Sequence, residues 1–208
     1  MPTNLSTTAL APSLIAARGG AATEEAGLVL FGSLVLVLSA KVFVPFFPVP
    51  MTLQTLAIMA IAATFGTRLG TLAVLTYLGE GLAGLPVFTY TPPAAAGPLY
   101  LLGPTGGFLI GFIALALIVG YAADRGWGRS PVKMFSAMIV ADLVVFAIGF
   151  VWLAWIAHLS SGAIGTGAAI AWQKGVLPFV VGDLLKIVLA AAAVPAAWGV
   201  VDGISRRR

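Results

Sequence analysis

Six apolar stretches follow one another along the chain, at about 26–44, 51–65, 68–83, 105–123, 132–157 and 176–201. Prolines, glycines or charges separate them, so each reads as its own helix. The first ends at the cluster Pro45, Pro48 and Pro50, and the third is short and glycine-interrupted. Between the third and fourth lies a connection of about 20 residues, 84–104, rich in proline and aromatics. Connections that long are often lids or binding loops. The segment Ser160–Lys174, rich in glycine and alanine, reads as a loop dipping toward the membrane interface. This pattern predicts an all-α integral membrane protein with six transmembrane helices in one domain, 26–203. A mobile tail at 1–25 precedes it and a basic tail at 204–208 follows.

Composition supports the membrane assignment. Of the 208 residues, 60% are hydrophobic and only 9% charged, and the mean hydropathy is +1.07. Soluble domains carry roughly a quarter charged residues. The net charge of +4 does not point to nucleic acid, because the arginines fall in separate connections rather than along one stripe. Without cysteine, disulfides, thiolate catalysis and cysteine-ligated metals are excluded. A single histidine, His158, leaves little scope for a histidine metal cluster or a histidine-based triad. No resident cofactor is expected.

Charge placement sets orientation. Arg18, Arg68, Arg125, Arg129, Lys133 and Arg206–Arg207–Arg208 share one side of the six-span arrangement, and only Lys41 and Lys174 lie near the other. By the positive-inside rule both termini are cytoplasmic and the 84–104 loop is outside.

Against this background Asp183 and Lys186 stand out. They sit three residues apart in an otherwise apolar helix, on one face, at a depth of roughly 10–15 Å from its outer end. Ionisable residues there are costly and usually face a bundle interior or cavity. A self-neutralising structural pair is the alternative. Other polar residues at depth are Thr52, Gln54 and Thr55, Glu80, and Asp142. Gln54 and Thr52 can meet a ligand or bond their own helix. Asp142 is expected to accept hydrogen bonds between helices or pair with a cation. In Gly103–Gly107, Pro104 suits a first helical turn, Thr105 offers a hydroxyl, and Gly106 and Gly107 leave amides open to an anion. Gly103, Gly107 and Gly111 recur at the four-residue spacing that lets membrane helices approach closely, as do the pairs Gly66/Gly70 and Gly199/Gly203. Trp152, Trp155 and Trp172 fit an interfacial belt.

Four blocks together, PVPMTLQTL at 48–56, GLPVFTY at 84–90, GPTGGFLIGF at 103–112 and GVLPFVVGDLLK at 175–186, resemble the BioY family, the biotin-binding S components of energy-coupling factor (ECF) vitamin transporters. The resemblance implies a bacterial cell (inner) membrane protein that captures biotin outside with high affinity. Its partners would be a transmembrane coupling protein and ABC-type ATPases. The chain itself carries no GxxxxGK[ST] phosphate loop and is not expected to hydrolyse ATP. S components commonly offer small residues four apart on the first helix. Here Gly32 is followed by Leu36 and Ser33 by Val37, which departs from that pattern.

On this reading Asp183 accepts from a ureido N–H of biotin and Lys186 donates to the ureido oxygen, while the carboxylate points outward toward Thr105, Gly106 and Gly107. The reversed pose puts the carboxylate on Lys186. Thr52 and Gln54 are further candidate contacts, and Phe88, Tyr90 and Tyr100 are candidates for a lid over the apolar ring. An S component for riboflavin or thiamine is the nearest alternative function, and a membrane-embedded enzyme a more distant one.

Overall fold

The computed structural model describes Ala9 and residues 22–205, with side chains through Trp198. Residues 1–8 and 10–21 of the expected 1–25 tail, the packing of the Gly199/Gly203 pair and Arg206–Arg208 lie outside the described residues. In chain order the elements are α1 (Ala22–Lys41), β1 (Phe43–Val44), β2 (Met51–Thr52), α2 (Gln54–Leu82), α3 (Pro98–Leu102), α4 (Gly106–Asp124), a short 3-10 turn (Trp127–Arg129), α5 (Pro131–Trp155), α6 (Ala168–Gly175) and α7 (Val180–Ser205). Among the described residues, five helices are long and apolar enough to cross a membrane: α1, α2, α4, α5 and Val180–Trp198 of α7. Exposed Leu30, Phe31, Leu34 and Leu38 on α1 suit a lipid surface.

Six separate stretches become five helices because the second and third are joined at Gly66. Its backbone (φ 78°, ψ −178°) is not helical, a conformation only glycine adopts without strain. Across it the chain doubles back. A Cβ on Gly70 would stand 2.9 Å from the Ala62 Cα, and Gln54 Nε2 donates to Tyr77 Oη at 2.8 Å. In a continuous helix those two residues would be roughly 35 Å apart. Asp124, at the end of α4, closes the turn by accepting from the Thr67 N–H and hydroxyl at 3.0 and 2.6 Å. A Cβ on Gly120 would come within 2.6 Å of the Thr67 Cα, so α4 lies directly against this turn.

Close packing continues between α4 and α5. An added Cβ on Gly107 would overlap the Trp152 Cβ, and one on Gly111 would reach the Val145 Cα at 3.1 Å. Gly103 stands apart from this stripe. It caps α3, and its carbonyl accepts from Trp152 Nε1 at 3.0 Å. Pro131 occupies the first turn of α5 and Ser130 its N-cap, positions both residues favour.

Two expectations change. Helix α6 occupies part of the 160–174 stretch expected to be loop, and α3 forms inside the long 84–104 connection. Alanines and short apolar runs there lack a long amphipathic period, so their pattern does not separate helix from loop. Helix α1 also begins at Ala22, inside the 1–25 stretch read as tail. Glu24 and Glu25 in its first turn and Lys41 in its last complement the helix dipole.

Candidate binding site

Lys186 is the centre of a buried polar cluster where α7 meets the start of α2. Its ammonium donates to Asp183 Oδ1 at 2.6 Å, to the Thr52 carbonyl at 2.7 Å and to Thr55 Oγ1 at 3.1 Å. The Thr55 hydroxyl in turn donates to Asp183 Oδ1 at 3.0 Å. An ammonium has three donors, and all three are used. Asp183 is 4% and Lys186 7% exposed, so each charge depends on the other for compensation.

Local structure explains how a residue at position 52 reaches position 186. The strands β1 and β2 pair antiparallel, Phe43 opposite Thr52 and Val44 opposite Met51. This small hairpin carries Thr52 beside the first turn of α7. Gly182 permits the approach, since a Cβ there would sit 2.8 Å from the Met51 Sδ. The glycine of the GDLLK block thus seats β2, and the aspartate and lysine that follow hold it.

Two small cavities, of about 50 and 40 Å³, lie side by side next to this cluster and share a wall; together they are the two halves of a chamber. Val49, Pro50, Thr52, Phe108 and Phe112 line both. Asp183, Lys186, Thr55 and Phe179 belong to one half; Gln54, Phe88, Tyr100 and Thr105 belong to the other. One half is ionic and the other is aromatic and hydroxylic.

The 84–104 connection roofs the second half. Phe88 is fully buried, stacked on Tyr100 at 4.7 Å between ring centres and edge-on to Tyr77 at 5.5 Å. Gly81 is its seat, because a Cβ there would overlap the Phe88 ring. Tyr100 Oη donates to the Thr89 carbonyl at 2.5 Å. Burial raises the Tyr100 phenol above its ordinary value, which keeps that donor protonated. From the end of α1, Lys41 Nζ donates to the carbonyls of Pro86, Phe88 and Thr91 at 2.8, 2.7 and 2.6 Å. Thr89 Oγ1 adds a bond to the Ala40 carbonyl at 3.1 Å.

Of the residues singled out from the sequence, Asp183, Lys186, Thr52, Gln54, Phe88, Tyr100 and Thr105 line the chamber. Tyr90, Gly106 and Gly107 do not. Tyr90 (φ 65°) turns outward and meets the Phe43 ring edge-on at 4.9 Å. Gly106 donates its amide to the Gly103 carbonyl at 3.1 Å, and an added Cβ would strike the Leu101 carbonyl; Gly107 backs onto Trp152. These glycines serve close packing. Thr55 and Lys41 were absent from the sequence-derived site. The period of α2 puts Thr55 one position past Gln54, but nothing local signals its partner on α7.

A family model for the BioY family matches residues 8–203. The chain belongs to the BioY family. Among curated BioY proteins, one from Thermotoga maritima described as a biotin transporter is 37% identical over 157 residues, covering 75% of this chain and 85% of that protein. One from Pyrococcus horikoshii, a probable biotin transporter, is 33% identical and covers 81% and 92% respectively. A solved S-component for biotin from an ECF-type ABC transporter superposes with a TM-score of 0.71 at 22% identity, over 85% of this chain and 92% of that one. The BioY fold is therefore the fold of this chain. The Asp183–Lys186 cluster lies inside the matched region.

Proposed function

We propose that this protein is the biotin-capturing S component of an ECF-type transporter, with the chamber at Asp183 and Lys186 as its binding site. The observation that carries the proposal is the ionic cluster buried at one end of a chamber whose other end is aromatic. Biotin has a polar ureido group at one end, an apolar ring and chain that aromatic side chains can enclose, and a carboxylate at the far end. A ureido N–H would donate to Asp183, and the ureido oxygen would take a Lys186 donor in place of the Thr55 hydroxyl, the longest of its three bonds. Thr52, Gln54 and Thr105 are polar groups along the wall, and Phe88, Phe108, Phe112 and Tyr100 would enclose the ring. The reversed pose is disfavoured because the ligand carboxylate would meet Asp183, 2.6 Å from Lys186.

Small-molecule pockets commonly occupy about 300 Å³ or more, so the two small cavities must widen on binding. The residues positioned to give way are Phe88 and Tyr100 in the roof, and Phe108 and Phe112 between the halves. The hairpin at Gly66 supports counting α2 as two spans, hence six, with both termini cytoplasmic and the roof outside by the positive-inside rule. We further propose a bacterial inner-membrane location and release inward driven by a coupling protein and ABC-type ATPases, a reading that family membership supports. The protein is then a transport subunit rather than an enzyme.

Equilibrium binding of radiolabelled biotin to the purified chain, with riboflavin and thiamine as competitors, tests the proposal. Saturable binding displaced by biotin alone supports it. Displacement by either other vitamin, or no saturable binding by a folded preparation, rejects it.

A further inference from the structure

Far from the chamber, at the opposite end of α4 and α5, lies a cavity of about 330 Å³ lined by Ile118, Tyr121, Ala122 and Arg125 on one side and Ser136, Ala137 and Val140 on the other, with Trp127 at its end. The two helices run antiparallel and are joined by the Trp127–Arg129 turn. Helical spacing therefore builds two columns graded in the same direction. On α4, Arg125, Tyr121 and Ile118 follow one another into the membrane. On α5, Ser136 and Val140 do the same, and Lys133, exposed and outside the lining itself, stands one turn nearer the surface, its carbonyl accepting from Ser136 Oγ at 2.8 Å.

Each column thus passes from cation, through hydroxyl, to aliphatic side chain. Arg125 lies over the Tyr121 ring at 4.2 Å, a contact that uses the guanidinium face and not its in-plane donors. Among the described residues it pairs with no carboxylate. The neighbouring Arg129 is held elsewhere, over Trp198 at 4.1 Å. Asp124, the adjacent acid, is committed to Thr67.

We infer that this groove is a binding site for an anionic glycerophospholipid, with its phosphate between Arg125 and Lys133, its glycerol esters at Tyr121 and Ser136, and an acyl chain along Ile118 and Val140. Charge complementarity selects an anionic head group, and the apolar floor selects a lipid over a free phosphate. A guanidinium offers paired donors to phosphate oxygens, and Trp127 sits where indoles meet head groups. The site is independent of biotin recognition, and it clamps the α4–α5 turn at the membrane surface.

The test is native mass spectrometry of the full chain released from mixed micelles holding equal amounts of phosphatidylglycerol and phosphatidylcholine. The wild-type protein retains phosphatidylglycerol preferentially. Arg125→Gln and Lys133→Gln each reduce that retention by roughly fivefold, the effect of one surface cation on anionic lipid, and Lys174→Gln on α6 leaves it unchanged. Thermal melting in detergent checks that the variants fold. Equal retention of the two lipids by the wild type, or equal loss in the Lys174 variant, overturns the assignment. Should Arg125→Gln unfold the protein, the Lys133→Gln result alone decides.

Discussion

The Lys186 ammonium lies 2.7 Å from the backbone carbonyl oxygen of Thr52, 134 positions earlier in the chain. Through this bond the last helix holds the hairpin that precedes α2, so the buried charge has a structural partner beyond Asp183. Any test of ligand binding must therefore separate recognition from folding.

A double-mutant cycle makes that separation. Asp183→Asn or Lys186→Met alone leaves one buried charge uncompensated, a loss of about 3–5 kcal/mol in comparable sites. Both should lower the melting temperature and abolish measurable biotin binding. Asp183→Asn combined with Lys186→Met removes both charges and should recover most of the stability while binding stays absent. If biotin affinity returns together with stability, the pair is purely structural.

Thr55 offers a milder probe. Thr55→Val keeps the side-chain shape and removes one donor to Asp183 and one acceptor from Lys186. Hydrogen bonds to charged groups contribute about 1.5–3 kcal/mol, so the unliganded variant should melt lower, while biotin, whose ureido oxygen replaces the Thr55 acceptor, should bind at least as tightly as before. Thermal melts and titration calorimetry on the folded variant measure the two effects; a loss of affinity of tenfold or more would contradict the exchange of Thr55 for the ureido oxygen.

Lys41 ties three carbonyls of the roof to the end of α1, and Phe88 sits beneath them. Lys41→Met should free the roof, speeding both association and dissociation of biotin by about five- to tenfold, as expected for losing charge-assisted bonds at a partly exposed site. The dissociation constant should change much less. Stopped-flow measurement of both rates checks this, and unaltered rates would mean that the roof does not limit access.

Helical glycines in this fold are not equivalent. A Cβ on Gly120 would meet the Thr67 backbone at 2.6 Å, whereas one on Gly79 meets nothing within 4 Å. Gly120→Ala should cost about 1–3 kcal/mol, as overpacking does, and Gly79→Ala should be neutral or slightly stabilising. Thermal melts in detergent distinguish them; equal melting temperatures would contradict the packing of α4 on the Gly66 turn.

These particulars also mark how far sequence alone reaches. Asp183 and Lys186 were legible because charge in an apolar helix is costly and must be used. The break between 65 and 68 was legible from glycine and charge, although the fold-back that pairs Gln54 with Tyr77 was not. Thr52 was chosen for its hydroxyl, yet it is its carbonyl that meets Lys186, and a carbonyl has no signature in sequence. Gly106 and Gly107 illustrate the converse: a glycine can leave an amide open or make room for a neighbour, and the neighbours, the Leu101 carbonyl for Gly106 and Trp152 for Gly107, decide. Lys41 read as a boundary charge because its three acceptors are backbone atoms more than 40 residues away.

The central claim is that biotin's ureido ring docks at the Asp183–Lys186 end of the chamber. A biotin analogue carrying a photoreactive diazirine on its ring, irradiated with the purified protein and mapped by tandem mass spectrometry, addresses it directly. Adducts confined to residues 49–55, Phe108, Phe112, Phe179, Asp183 and Lys186, and suppressed by excess biotin, are the predicted result. Adducts on outward-facing Val181 and Leu185 alone, or labelling that excess biotin does not suppress, would contradict it.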